Sequence, residues 1–204
     1  MTGCRWLLCL ALLAAACAPA QVIEFESGGL RYQTLTKRGV TIMYAHLPTN
    51  VRQWAIVQVA ISNGSSREWA IQPENVEFRR SDGSIVRADS ANFVVKSLIE
   101  HAGRNDVIRM VTAYELGLYG MQRFRSTSGY ELRRQSALAE VSSARVKAAA
   151  AASAIAFVAT KLKPGESTDG AVFFPAAGKP LGAGRIVVKA AGEIFEFDAE
   201  SGGQ

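Results

Sequence analysis

Histidine and cysteine are the scarce residues of this 204-residue chain: two of the first and three of the second. Two distant histidines, His46 and His101, leave no set from which a multi-histidine metal site or a relay could be built. All three cysteines fall within the first 17 residues. The chain beyond them therefore has no disulfide, no thiolate metal site and no cysteine nucleophile. No apolar run approaches the roughly 20 residues that a membrane-spanning helix needs. Charge of one sign is not in large excess either. Lys and Arg number 23 against 18 Asp and Glu, a net charge of +5, too small a bias to read as a nucleic-acid binder. What remains is ordinary globular material, 49% hydrophobic and 20% charged, with 18 glycines and 6 prolines.

The first 20 residues read as a leader rather than part of the fold. One positive charge, Arg5, precedes Trp6–Ala16 (WLLCLALLAAA), an apolar run of signal-peptide length. Two processing sites compete after it. Ala18-Pro19-Ala20 before Gln21 is a small-x-small cleavage site. Leu13-Ala14-Ala15-Ala16-Cys17 resembles a bacterial lipobox, with Ala14 where that motif usually carries leucine. The lipobox would make Cys17 the lipidation site and first residue of the mature protein. The expected localisation is thus export, either to the periplasm or as a lipoprotein anchored in the bacterial envelope.

Residues 21–198 are expected to form a single domain in three blocks, with a flexible tail at 199–204. Residues 21–88 read as strands, 89–160 as a helical insertion, and 161–197 as strands again. Trp54–Ser62 alternates, with Val57, Val59 and Ile61 on one face, the pattern of a half-buried strand. Asn63-Gly64 after it predicts a hairpin, because a type I′ turn needs positive φ, with Trp69–Gln72 as the return strand. A second hairpin is expected around Ser81-Asp82-Gly83-Ser84. Lys163-Pro164-Gly165-Glu166 carries Pro and Gly at the central positions of a type II turn. Ile186–Lys189 and Glu193–Asp198 flank a third turn at Ala190-Ala191-Gly192.

The middle block has a different period. Ala91–Ala102 places Val94, Val95, Leu98, Ile99 and Ala102 at helical spacing. Glu131–Leu162 reads as a long helix-prone run whose stripe includes Leu138, Val141, Ala148, Ala152, Ile155 and Val158. About seven strands, three or four before residue 88 and three after 161, are expected in all.

The segments WAIVQVAISNGSSREWAI (54–71), FRRSDGSIV (78–86) and LKPGESTDGAVFFP (162–175) resemble bacterial exported immunoglobulin-like β-sandwich domains of unknown function. That resemblance covers about half of the mature chain. It implies a mainly β fold, an immunoglobulin-like antiparallel β-sandwich here carrying two or three α-helices. It also implies an adaptor or interaction domain in the envelope, and it brings no functional residues with it.

Searching for catalysis yields little. No Gly-x-Ser-x-Gly elbow places a nucleophile, no P-loop precedes a helix, and no calcium-loop spacing occurs. The chain is accordingly expected not to be an enzyme, with no catalytic residue, no metal and no cofactor. One basic cluster stands out: Arg123, Arg125, Arg133 and Arg134, with Phe124 and Tyr130 interleaved and Arg145 and Lys147 further on. These four arginines are the candidate patch for an anionic partner. The expected partners are an envelope protein or an anionic membrane surface, and not nucleic acid. Two functions are carried forward: an interaction or assembly module of the envelope, and a ligand-binding module for glycan or anionic lipid headgroups.

Overall fold

A computed structural model describes residues 21–27, 29–48, 50–106, 108–110, 112, 115 and 143–199. The leader with Cys17, the tail from 200 onward and the four arginines of the basic cluster lie outside the described residues.

The fold is mainly antiparallel β. Five strands form one sheet in the order β1-β2-β3-β4-β9: β1 (Ile23–Ser27), β2 (Leu30–Lys37), β3 (Val40–His46), β4 (Trp54–Asn63) and β9 (Ser167–Pro175). Four more form a second sheet, β11-β10-β6-β7: β6 (Val76–Arg80), β7 (Ile85–Arg87), β10 (Gly184–Ala190) and β11 (Glu193–Ala199). A short pair, β5 (Trp69–Ile71) and β8 (Thr160–Leu162), stands apart from both. The helices that can be followed are α1 (Ala91–His101) and α2 (Ala144–Ile155), which pack on each other. The described residues thus hold eleven strands, more than the seven or so expected. The strands without an expected counterpart are β1 and β2 at the start and the short β8, whereas β5 and β7 fall on the expected return strand and second hairpin. Strand β11 also runs to Ala199, one residue into the expected tail.

The two large sheets share one core. Val57, Val59, Ile61 and Phe174 of the first meet Phe78, Ile186, Val188, Phe195 and Phe197 of the second. The opposite face of the five-stranded sheet is covered by helices. There Tyr32, Ala45, Trp54, Ile56, Ala171 and Phe173 meet Val94, Leu98, Ala148, Ala152 and Ile155. Strand β4 is therefore buried on both sides rather than half-buried. Its second face, including Gln58, lies under the helical layer.

Helix α1 begins where the Ser90 hydroxyl accepts a hydrogen bond from the Phe93 N–H at 3.3 Å, an N-cap. It buries Val94 and Leu98, four residues apart on one face. Helix α2 is built largely of alanine, the residue with the highest helix propensity. It stops at Ile155, seven residues before the expected end at Leu162. The chain turns extended there. The Phe157 N–H donates to the Ala171 carbonyl at 2.8 Å, and Phe157 is buried in the core between the sheets. A tertiary site for one aromatic ring thus overrides local helix propensity. Gly170 makes this close approach possible. A Cβ there would lie 2.6 Å from the Phe157 nitrogen and closer still to its Cα.

Asn63-Gly64 does not close a hairpin. β4 pairs with β3 and β9, whereas β5 pairs with β8, and Gly64 does not have positive φ. The fully buried Asn63 side chain serves as a staple instead. Its Nδ2 donates to the carbonyls of Arg67 (2.8 Å) and Leu162 (3.0 Å), and its Oδ1 accepts from the Ser65 N–H and hydroxyl. The other turns form as expected. Phe78 is registered with Val86 across the second hairpin. The Glu166 N–H donates to the Lys163 carbonyl across a turn with Gly165 at φ 83°. Ala191-Gly192 joins β10 to β11 with both residues at positive φ.

Candidate binding surfaces

Two open grooves lie on the described surface. The first, about 850 Å³, is lined by Asn50, Arg52, Gln53, Asp106, Arg109 and Gly178 among others. Its shape starts at a two-residue turn. Val51 and Trp54 exchange both backbone hydrogen bonds at 3.0 Å. Arg52 between them sits at φ 53°, while Gln53 does not have positive φ. Positive φ at the first central position alone is the type II′ pattern, a place ordinarily taken by glycine. The side chain offsets that backbone cost. Arg52 Nη1 donates to the His101 carbonyl at 2.7 Å, closing the C-terminus of α1, where a cation is favourable. The same nitrogen lies 3.8 Å from Asp106 Oδ2, which also accepts from the Gly103 N–H at 2.8 Å. Arg52 is thereby committed to the joint after α1. Arg109, on the next helical stretch, is the groove's cation without a described partner.

The second groove, about 450 Å³, lies where the β6–β7 turn meets the start of β10. It is lined by Arg79, Arg80, Ser81, Gly83, Arg185 and Glu196, with Gly184 beneath. Gly184 keeps the floor open to Phe78, whose ring carbons would lie 2.5 Å from an added Cβ. Most of the charge here is offset. Arg185 pairs with Asp198 (3.1 Å) and Glu196 (3.4 Å), Arg79 lies 3.8 Å from both Glu77 and Glu196, and Lys189 reaches Glu77 at 3.0 Å. Exposed pairs of this kind contribute little to stability. Their effect is to fix guanidinium positions around the groove.

The residues weighed for chemistry are scattered. His46 ends β3, and burial lowers its pKa from the ordinary value. His101 is exposed at the end of α1, with its ring 3.6 Å from the Glu100 carboxylate. The structure does not bring the two together on one element or in either groove. Trp54 is fully buried, with Nε1 donating to Asp89 Oδ2 at 2.7 Å, so it belongs to the core. Trp69 packs at the margin of the core between the sheets. Burial raises the Tyr32 phenol to about 12 and pushes Tyr44 up as well. Gln58 is 1% exposed, and neither atom of its amide makes a hydrogen bond. Among the described residues no three His, Cys, Asp or Glu side chains are placed to hold a metal ion, and no helix is long and apolar enough to cross a membrane.

Of the sequence-derived site residues, Cys17, Arg123, Arg125, Arg133 and Arg134 lie outside the described residues. Arg145 is exposed and Lys147 half-buried on the first turn of α2. Both grooves escaped the sequence reading. Arg79-Arg80 before a Ser-Asp-Gly-Ser turn was a visible signal for the second. Nothing in NVRQW announces that Arg52 takes a glycine-like conformation.

No protein-family model and no curated protein matches the chain. Among solved structures it is similar to the yjhA protein from Bacillus subtilis. The TM-score is 0.33 and the identity 11%, over 82% of this chain and 77% of that one. A likeness at that level carries no argument about fold or function. The resemblance to immunoglobulin-like exported domains has no support from these comparisons and rests on the three quoted segments.

Proposed function

We propose that this protein is a non-catalytic module of the bacterial cell envelope, exported and held there by a lipid on Cys17. Its two packed sheets, read as an immunoglobulin-like sandwich, serve as scaffold for recognition of a partner protein. The observation that supports the binding role is the character of the described grooves: open and lined by arginine, with Arg109 in one and Arg79, Arg80 and Arg185 in the other. Such surfaces suit an extended anionic partner better than an enclosed small substrate, for which a deep apolar pocket is usual. Arg123, Arg125, Arg133 and Arg134 would extend the same chemistry. Intact-mass analysis of membrane fractions tests the anchoring. A lipidated species beginning at Cys17 supports it, and a soluble species beginning at Gln21 sinks it while leaving export standing. Partner recovery from envelope extracts tests the binding. The variant with all four arginines changed to Ser should keep its thermal stability and lose recovery at low salt.

A second reading, a binding module for glycan or anionic lipid headgroups, draws on one specific observation. Arg109 presents a guanidinium without a described partner to a groove of about 850 Å³. Co-sedimentation with phosphatidylglycerol vesicles separates the readings. Binding that salt and Arg109→Ser both weaken favours the headgroup reading over the protein-partner one.

A further inference from the structure

We propose that the outer edge of β1 is a strand-addition site for an extended segment of another protein in which basic residues alternate with apolar ones. This goes beyond the envelope reading and does not depend on export or lipidation. The two edges of the five-stranded sheet are treated differently. On the β9 side, Asp89 bridges to Phe173 and Ala156 to Ala171, so the backbone there is covered. On the β1 side, no strand among the described residues pairs with the outer edge. A row of open N–H and C=O groups is a template for another strand. Natural edges are usually blunted by proline, a bulge or brevity. β1 has neither proline nor bulge, and all five of its residues pair in continuous register with β2.

The side chains specify what fits. Ile23 and Phe25 share one face and are 62% and 37% exposed. Phe25 is held in place by stacking on Tyr32, with ring centroids 5.2 Å apart and an interplanar angle of 11°. Glu24 and Glu26 occupy the other face, both exposed. Across β2, Glu24 faces Gln33 and Glu26 faces Arg31, so the inner neighbour can offset at most one of the two charges. A second copy is a poor occupant. Every antiparallel register that joins the apolar faces and overlaps the strand centres sets glutamate against glutamate, and like charges directly opposite are destabilising. An anionic membrane surface is repelled for the same reason. A basic–apolar–basic strand places a cation opposite each glutamate and an apolar side chain opposite Phe25.

Fluorescence anisotropy with a short labelled peptide of alternating arginine and valine tests this on the intact protein. The expected result is saturable binding, with the glutamate–valine counterpart about tenfold weaker or worse. The double variant Glu24→Lys with Glu26→Lys should reverse that preference. Both positions are exposed, so the fold should be kept. An arginine–valine peptide N-methylated at consecutive residues, so that neither strand edge keeps its donors, retains charge and should bind far more weakly. Equal binding of the methylated and parent peptides would reduce the effect to charge attraction and overturn the proposal. So would failure of the parent peptide to bind, or indifference to the double variant. A dimer that Phe25→Lys dissolves would assign the edge to a second copy and overturn it as well.

Discussion

The two faces of the five-stranded sheet are buried by different means. Toward the second sheet the contacts are branched and aromatic: Val57, Val59, Ile61 and Phe174 against Phe78, Val188, Phe195 and Phe197. Toward the helices they are largely alanine on alanine, Ala45, Ala60 and Ala171 against Ala148, Ala149 and Ala152, with bulk supplied by Trp54, Ile56 and Phe173. Two sheets sit about 10 Å apart and need long side chains to fill the space. A helix of small residues can settle close to a sheet, but each alanine removes little apolar surface from water. The helical face also encloses the amide of Gln58 with no hydrogen bond. Each layer is well covered, yet the sheet-to-sheet face should supply more of the stability. Hydrogen exchange gives the direct check. Amides of β4, β9 and β10 should open only with global unfolding, and those of α1 and α2 at lower free energy. Equal protection of α2 and β10 would break the comparison.

Mutations sharpen it, the largest effect first. Phe195→Ala in the sheet-to-sheet core should cost about 4 kcal/mol by chemical denaturation, from lost burial and the cavity left behind. Ala152→Gly on the helical side should cost about 1 kcal/mol, mostly backbone entropy. Between the two stands Gly170→Ala, at about 2 kcal/mol, because its Cβ meets the Phe157 backbone rather than a yielding side-chain tip. That variant should release the 156–162 connection before either sheet, visible as proteolytic cutting there while β10 and β11 stay protected.

The order of the blocks, strands then helices then strands, was legible because period and turn chemistry change at residues 89 and 160. Local signals also marked the turns at Gly83, Gly165 and Gly192, each of which has positive φ. What could not be read was which strands are neighbours. Asn63-Gly64 carries a hairpin signature, and only the partners of its side chain, Arg67 and the distant Leu162, show it to be a junction between sheets. The run WAIVQVAIS was ambiguous for a related reason. Gln58 interrupts an otherwise apolar strand and suggests a solvent face, while a layer supplied by residues almost a hundred positions later covers it. The grooves depend on loops meeting across the fold, and sequence spacing does not report that.

Gln58→Met tests the weak layer more gently. Replacing an amide that makes no hydrogen bond by an apolar side chain of similar size should leave stability unchanged or raise it by about 1 kcal/mol. A marked loss would mean that the amide is satisfied within the helical layer. The smallest effect concerns pH. Burial lowers the folded-state pKa of His46 below its ordinary value, so the folded protein favours the neutral ring. Its contribution is complete above the unfolded value of about 6.5 and declines as pH falls from there through the folded value. Denaturation midpoints from about pH 7.5 to about pH 5 should show that decline, and His46→Gln should flatten it.

The pairing of β4 with β9 has a consequence for how the chain reaches its fold. Ser62 is registered with Ser167 and Trp54 with Pro175, partners over a hundred residues apart, and β6 likewise waits for β10. Central strands joined at such distance fold slowly, because the entropy of closing the loop is lost before any contact repays it. The first ninety or so residues to leave a ribosome contain seven strands and no complete core. Until the stretch ending near Ala199 has been made, the chain has no stable stopping point.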